Sequence, residues 1–441
     1  MTGRRIGSDS PRQPLRRRNP AAGVASVKRS KWRGEGLLGA LMASTDGPEL
    51  IRRVTASGLR GRGGGWFPTG RKWQAVRAEE GDAFLVANGA EGEPGSVKDR
   101  FLMTTRPGEV VRGLALAARA VGAREAVVFL KRSFAGPAAA LRAALREARL
   151  DDLTVEVRHG DDGYISGEET AVLEALEGRR PWPRPKPPLP AAVGFRGRPT
   201  LVQNVETLAR VSAAVADPER FRREESTLVS LWGQVRRPGI YEVRLGTPLR
   251  RLIEEQGGGA AEGLGMIFPA GPSGAPLSAA QADTPLDPDA LRAAGSALGT
   301  ASVLVLGVSA CPLGVGASLA AFFERESCGQ CPPCTVGTAS LGRILRAVEA
   351  GEARARDLTD LGEVSGFMAS HGYCAHSRTA AGSATGLLAR FRADVEEHLR
   401  LGRCPRPGPP LDPFGPASPE RTAIEAVLAG LPSPTTAAEA R

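Results

Sequence analysis

Three short apolar runs, Phe84–Ala87 (FLVA), Ala126–Leu130 (AVVFL) and Leu153–Val157 (LTVEV), punctuate the first half of the sequence. Each has strand length. Between them lie segments around Glu109–Val121 and Pro137–Leu150, rich in Ala, Leu and Arg and long enough for helices. Strand, helix and strand at this spacing predict a largely parallel sheet covered by helices. Upstream, a helix is expected within Ala40–Ser57, with Pro48 near its start and Gly58 at its end. Downstream, residues 181–200 (PWPRPKPPLPAAVGFRGRPT) carry seven prolines. Each proline removes an amide donor and fixes φ, so this stretch should run extended, as a linker or one wall of a pocket.

The pattern changes near residue 225. Leu228–Val235, a Pro238-Gly239 turn and Ile240–Leu245 predict a hairpin, followed by a helix at Pro248–Gln256 and short strands near Met266–Pro269 and Ser302–Leu306. This order suits a small mixed α/β module. From Leu319 to about Leu401 the sequence is helical, and the Pro-rich end, with a helical patch at Glu420–Leu428, is expected to dock loosely. The expected division is therefore a tail over 1–34, an α/β domain over 35–220, the small module over 221–312, a helical domain over 313–404 and a Pro-rich tail over 405–441.

The net charge of +10 invites comparison with nucleic-acid binders, but its location argues otherwise. Residues 1–34 hold ten basic side chains against one acid, Asp9, while the other 407 residues hold 48 basic and 47 acidic ones. The body is nearly neutral, and aromatic residues make up only 5%, so no nucleic-acid partner is expected. The basic start reads as a disordered arm without a secretory apolar core, though an Arg- and Ser-bearing, acid-poor start also fits an organellar transit peptide. No run of 18 apolar residues exists to span a bilayer. Hydrolase chemistry lacks a Gly-x-Ser-x-Gly elbow.

Three of the six cysteines fall within seven residues, in Glu326-Ser327-Cys328-Gly329-Gln330-Cys331-Pro332-Pro333-Cys334. Thiolates at C-x2-C-x2-C match three corners of a cubane iron–sulfur cluster, whereas structural zinc usually takes two-plus-two knuckles. A [4Fe–4S] cluster on Cys328, Cys331 and Cys334 needs a fourth ligand. Cys374 is favoured, because a helical hairpin over 335–373 would return it to the triplet; Cys311 and Cys404 are the other candidates. A zinc site of three cysteines with His371 or His376 is the rival reading.

A glycine-rich loop, Gly58-Leu59-Arg60-Gly61-Arg62-Gly63-Gly64-Gly65-Trp66-Phe67-Pro68-Thr69-Gly70, allows backbone amides to approach an anion, with Arg60, Arg62 and Lys72 adding charge. It follows a helix and lacks a closing Gly-Lys-Ser/Thr, so it is neither a dinucleotide fingerprint nor a P-loop. Glu91-Gly92-Glu93-Pro94-Gly95 follows the first strand, and Gly163 to Thr170 (GYISGEET) follows the third. Ligands in open α/β sheets sit at such strand ends, so these carboxylates and the loop are expected to line one crevice.

In order, GLRGRGGGWFPTGRKW, NGAEGEPGSVKDR, GYISGEET, KPPLPA, QNVET and ESCGQCPPC resemble motifs of the flavin- and NADH-binding F subunit of respiratory complex I and its relatives in soluble hydrogenases and formate dehydrogenases. The resemblance runs from about Leu37 to Leu399. It implies an α/β domain binding FMN and NADH, a ubiquitin-like β-grasp (SLBB) domain and a helical bundle with one [4Fe–4S] cluster. It also implies an NADH dehydrogenase activity, with hydride passing from NADH to FMN and single electrons passing through the cluster. By position, Gly61, Arg62, Gly63, Gly64, Lys72, Asn88, Tyr164, Gly167, Glu168 and Asn204 would hold FMN. Glu93, the candidate catalytic residue, would face the dinucleotide with Phe67 and Glu169. A thioredoxin-like [2Fe–2S] subunit is the implied partner, within a complex I-like assembly, and the expected location is cytoplasmic, on the inner face of the membrane through that complex.

The sequence departs from the family pattern at five positions. Ala90 stands where a carboxylate is usual, Gln203 where the family has Asn, and Ala75 and Leu189 where aromatic rings stack on the nucleotide; Trp66 replaces a glycine. These changes motivate the alternative of an electron-relay paralogue that has lost NADH and takes electrons from a ferredoxin-like donor.

Overall fold

The computed structural model describes residues 45–430 apart from 149, 151, 407 and 409. The expected basic tail, the first residues of the predicted 40–57 helix and residues 431–441 lie outside the described residues.

Helix α1 (Gly47–Ser57) opens on Asp46, whose carboxylate accepts from the Glu49 amide at 2.8 Å, and closes on Gly58 in the left-handed region (φ +73). The three strands read from the sequence form as β1 (Phe84–Asn88), β2 (Glu125–Lys131) and β3 (Thr154–Gly160). A fourth, β4 (Thr200–Asn204), lies where the sequence pattern gives no strand. It emerges from the Pro-rich stretch and pairs with the open side of β1. The sheet order is β3-β2-β1-β4, all parallel.

Alternation along β1 sends Leu85 and Ala87 to one face and Phe84 and Val86 to the other. Around the sheet lie α2 (Thr69–Arg77), α3 (Lys98–Thr105), α4 (Pro107–Val121), α5 (Ala135–Glu147), α6 (Glu169–Leu176), α7 (Val205–Ala216) and α8 (Pro218–Glu224). Leu85 and Ala87 share a core with Leu114 of α4 and Leu208 of α7, while Phe84 and Val86 pack with Val172 and Leu173 of α6. Both faces of β1 and β2 are covered, which is why these two strands are nearly continuous apolar runs. After β1 the chain moves outward to β2 and β3, then returns to the far side of β1. The topological switch point therefore lies between β1 and β4, where Asn88 and Asn204 are register partners at the strand ends.

The second sheet has the order β6-β5-β9-β7-β8. Strands β5 (Ser226–Gly233) and β6 (Gly239–Arg244) make the expected hairpin, and β5 pairs in parallel with the last strand, β9 (Ser302–Gly307). Strands β7 (Leu264–Phe268) and β8 (Leu277–Ser278) complete this β-grasp arrangement, with α9 (Pro288–Ala293) leading back to β9. The helix expected over 248–256 is one α-helical turn, Leu249–Arg251, that widens into a π-turn over Leu252–Gln256.

Helices α10 (Pro312–Arg325), α11 (Pro332–Ala350), α12 (Ala355–His371) and α13 (Ala375–Arg390) form a bundle in which α13 closes back onto α10. Helices α14 (Arg392–Leu401) and α15 (Pro419–Ala429) follow. The terminal stretch is more firmly docked than its proline content suggests. Phe414 is fully buried against Trp232, Phe268 and Phe322, with ring centroids at 6.4, 5.5 and 6.5 Å. Ile424 is buried too, and Glu425 holds Arg100 through two bonds of 2.7 and 2.9 Å. One large aromatic side chain contributes about 1.5–3 kcal/mol on burial, enough to anchor a segment with little secondary structure.

Candidate functional site

The crevice is built at the switch point. Asn88, at the end of β1, donates from Nδ2 to the Gly167 carbonyl at 2.9 Å, and its Oδ1 accepts from the Ala90 amide at 3.1 Å. At Gly167 a Cβ would lie 2.6 Å from the Ala90 carbonyl, so only glycine permits this approach. Asn204, at the end of β4, caps α7 through Oδ1 and donates from Nδ2 to Asp99 at 2.8 Å. The glycine-rich loop arches over this strand end. Its neck is fixed where the Gly61 amide donates to Phe67 O at 2.9 Å and the Arg62 amide to Thr207 Oγ1 at 2.8 Å. A Cβ on Gly63 would meet the Asn204 side chain at 3.2 Å, and Gly64 has φ +110. Among the described residues, the amides of Gly63, Gly64 and Gly65 make no well-formed hydrogen bond to protein. Successive free amides on glycine suit phosphate oxygens.

Charged side chains rim this loop. Glu168 caps α6 by accepting from the Thr170 and Ala171 amides at 2.7 and 2.9 Å. Lys186 donates to Glu168 and Glu169 at 2.8 and 2.6 Å, and Lys72 to Glu169 at 3.0 Å. Burial works against the Glu169 charge, but Lys72 and Lys186 outweigh it and hold the carboxyl down at about 2. Phe67 and Leu189 stand 52% and 55% exposed, while Ala75 lies on the exposed side of α2.

Two members of the loop do something the sequence does not disclose. The Arg62 side chain, grouped above with the FMN-holding residues, turns away from the crevice. It is 1% exposed, bonds Glu225 Oε1 at 2.5 Å and stacks on Trp66 at 4.2 Å. Trp66 is likewise no obstruction. Its ring packs into the β-grasp core beside Val229 and Leu231, and its Nε1 donates to Gly299 O at 2.7 Å. The backbone at Trp66 has φ +50, the left-handed region in which a glycine is at ease and a tryptophan costs about 1–3 kcal/mol, offset by burial of the indole.

A buried ionic core underlies the crevice, and its members sit within the motifs above although nothing local marks them. Lys98 is 1% exposed, with its Nζ 2.7 Å from Asp99 and 2.9 Å from Glu206. Glu206 also accepts from Thr227 Oγ1 and the Leu228 amide at 3.0 and 2.9 Å. Nearby, Glu91 accepts from Ser96 Oγ at 2.7 Å and from Arg100 Nε at 3.0 Å.

Glu93 faces the β-grasp domain. Its Oε2 accepts from the Tyr164 hydroxyl at 2.9 Å, that hydroxyl lies 3.2 Å from Ser273 Oγ, and Oε1 is buried without a partner. Burial pushes the carboxyl up to about 7, partly countered by the nearby Ser273 and by the Tyr164 hydroxyl. Because the folded value lies above the ordinary one, protonated Glu93 stabilises the fold fully below about 4.5, and this contribution is lost as pH rises through about 7. Replacement by glutamine is expected to flatten that part of the stability–pH curve, which denaturant titrations between pH 5 and 8 would measure.

Tyr164 also connects the crevice to the cysteines. Its ring meets Phe322 edge-on at 5.2 Å and His376 at 5.7 Å, and its amide donates to Glu326 at 3.3 Å, just before the triplet. Trp182, in the Pro-rich segment, donates from Nε1 to the Cys328 carbonyl at 3.2 Å. Cys331 and Cys374 occupy the caps of α11 and α13, so two helix N-termini face the thiols. Burial, joined by repulsion from Glu168 at Cys374 and from the neighbouring sulfurs at both, pushes Cys334 up to about 12 and Cys374 to about 11. A metal displaces those protons outright.

The fold brings Cys374 to the triplet. Cys328, Cys331 and Cys374 all act electrostatically on the Cys334 thiol, which places the four sulfurs in one neighbourhood. His371 is exposed with its Nδ1 at Phe367 O, and His376 Nε2 lies 2.9 Å from Phe323 O while its Nδ1 is buried without a partner.

A nucleotide-type crevice abutting an iron–sulfur site defines the class, an electron-transfer module with two cofactor sites. Residues 54–213 match the Nuo51 FMN-binding domain, 228–266 the SLBB domain and 307–398 the NADH-ubiquinone oxidoreductase-F iron-sulfur binding region. An F subunit of NADH-quinone oxidoreductase from Rhizobium meliloti, the second of two in that organism, is 38% identical over 81% of this chain and 90% of its own length. The F subunit of the Streptomyces coelicolor enzyme is 38% identical over 84% and 87%. A crystal structure of an NAD+-reducing [NiFe]-hydrogenase in the H2-reduced state superposes with a TM-score of 0.74 at 32% identity, covering 85% of this chain and 70% of that one. The chain belongs to the family of NADH-quinone oxidoreductase F subunits.

Proposed function

We propose that this chain is the NADH-oxidising, electron-input subunit of a larger assembly, with FMN in the switch-point crevice and a [4Fe–4S] cluster on Cys328, Cys331, Cys334 and Cys374. The observation that carries the reading is Tyr164, which bonds Glu93 in the crevice while its ring lies against His376 and Phe322 beside the cluster cysteines. FMN supplies the exchange between a two-electron donor and one-electron carriers. Gly63, Gly64 and Lys72 would hold its phosphate, with Gly61 fixing the neck of the loop, and Asn88, Tyr164, Gly167, Glu168 and Asn204 would surround the rest. Arg62 would serve by fixing the loop to the β-grasp domain. Phe67, Glu93 and Glu169 would face the nicotinamide nucleotide, with Glu93 holding or releasing a proton near neutral pH. The relatives are complex subunits, and a thioredoxin-like [2Fe–2S] subunit is the partner proposed to accept the electrons, at the inner face of the membrane through that complex. Among the described residues, no helix is long and apolar enough to cross a membrane.

A tryptophan ring in the crevice would exclude NADH, but the inward path of Trp66 removes that objection. Ala75 and Leu189 still lack stacking surface. Each aromatic pair is worth about 0.5–1.5 kcal/mol, so Ala75→Phe with Leu189→Phe should tighten NADH binding by roughly ten-fold or more. Titration of the flavin band with NADH under anaerobic conditions measures this directly; unchanged affinity in the double variant would remove these positions from the nucleotide site.

A further inference from the structure

The helical region contains a second cluster of soft ligands, separate from the four cluster cysteines. Cys311 follows β9 and caps α10, His398 lies in the last turn of α14, and Cys404 comes two residues after Gly402 ends that helix. Their ligand atoms all lie within 4.8 Å of one another. Cys311 is 7% exposed, His398 is fully buried and Cys404 is half-buried. None has a place in the flavin crevice.

We propose that Cys311, His398 and Cys404 bind one zinc ion, with a water completing the tetrahedron. Zinc bonds of about 2.3 Å to sulfur and 2.0–2.1 Å to nitrogen place those two atoms roughly 3.6 Å apart in a tetrahedral site. Cys311 Sγ and His398 Nε2 are 3.3 Å apart, so a small outward movement admits the ion. The imidazole is set for ligation. Its Nδ1 lies 2.7 Å from the Asp394 carbonyl and must carry the proton that bonds it, which leaves the Nε2 lone pair facing the two sulfurs. A backbone acceptor behind a ligating histidine is the usual outer support of a zinc site.

Donors surround the sulfur as well. The Gly314 amide approaches Cys311 Sγ at 3.5 Å. Arg406, tied to Asp394 at 2.7 Å, has its Nη1 buried without a hydrogen-bond partner. Two thiolates and a neutral imidazole around Zn2+ sum to zero charge, which suits a buried site next to that already paired Arg–Asp couple. Binding releases two thiol protons and needs no oxidant. Sulfur and imidazole donors together favour zinc over the harder divalent cations. The ion would join the start of α10 to the chain leaving α14, which then runs on to Phe414 and α15.

Metal analysis of the full, cluster-loaded chain tests the proposal. We expect one zinc per chain alongside four irons, and loss of zinc but not iron in Cys404→Ser and in His398→Gln. Zinc-edge X-ray absorption of the unmutated protein should give two sulfur neighbours near 2.3 Å with nitrogen or oxygen near 2.0 Å. This measurement decides the matter even if a variant fails to fold. Absence of zinc after growth and purification in zinc-supplemented medium would overturn the proposal. So would a Cys311–Cys404 disulfide found by mass spectrometry, or zinc bound only by oxygen and nitrogen. Iron content is read in the same experiment, so failure here is distinguishable from failure of the cluster assignment.

Discussion

Exchanging Cys331 for serine is expected to remove the four-iron cluster while leaving the flavin crevice able to bind its cofactor. Cys331 is buried at the N-terminus of α11, directly followed by Pro332 and Pro333, so its thiol cannot move aside for a substitute ligand without unwinding the first turn. A serine hydroxyl is a hard, weakly acidic donor in a site that needs a soft thiolate. Even supporting residues outside a metal's own ligands typically cost 10–100-fold in affinity or activity, and a ligand should cost more. Iron and acid-labile sulfide should fall to near zero, with FMN content and its bleaching by NADH retained. Transfer to a one-electron protein acceptor should drop at least about 100-fold. Iron content unchanged in this variant would show that Cys331 is no ligand, and loss of zinc alone would reinstate the single-ion reading.

The second large effect concerns stability. Lys98→Met keeps most of the side-chain volume but leaves Asp99 and Glu206 buried together without their shared cation. Breaking a buried ion pair from one side costs about 3–5 kcal/mol, because the remaining charge is neither solvated nor compensated. Burial disfavours the Glu206 charge, yet Lys98, Arg210 and Arg62 together hold its pKa down to about 2. Since the folded value is depressed, the contribution of Glu206 is present above its ordinary pKa and disappears as pH falls through about 2. Lys98→Met should shrink that contribution, and the loss should be partly recovered in Lys98→Met with Glu206→Gln. Urea unfolding of the parent and both variants at pH 7 measures the coupling. A single variant less than about 1 kcal/mol below the parent would contradict a structural role for the ionic core.

What the sequence discloses, and what it hides, follows the range of the interactions. The cysteine triplet is legible because three ligands within seven residues satisfy one requirement locally, and the strand runs of β1 and β2 are legible because both faces are buried. Strand β4 is hidden because five residues beside a Pro-rich stretch carry little periodicity, although they create the switch point. Trp66 and Arg62 mislead for a related reason. Their partners, Gly299 and Glu225, lie more than 160 residues away in sequence, so nothing local shows which way the side chains turn. Lys98 and Glu206 are visible within their motifs, but their pairing depends on α3 and α7 meeting beneath the loop. Phe414 shows the opposite effect, since a proline-rich composition conceals one aromatic anchor.

Electrons are proposed to enter from NADH at the crevice and to leave through the cluster beside Tyr164. The most direct test is anaerobic addition of NADH to purified protein carrying FMN and iron, following flavin absorbance and the electron paramagnetic resonance of the cluster together. The expected result is bleaching of the flavin band and appearance of a reduced-cluster signal that Cys331→Ser abolishes. A flavin that stays oxidised in the presence of NADH, with a cluster that a ferredoxin-type donor still reduces, would contradict it.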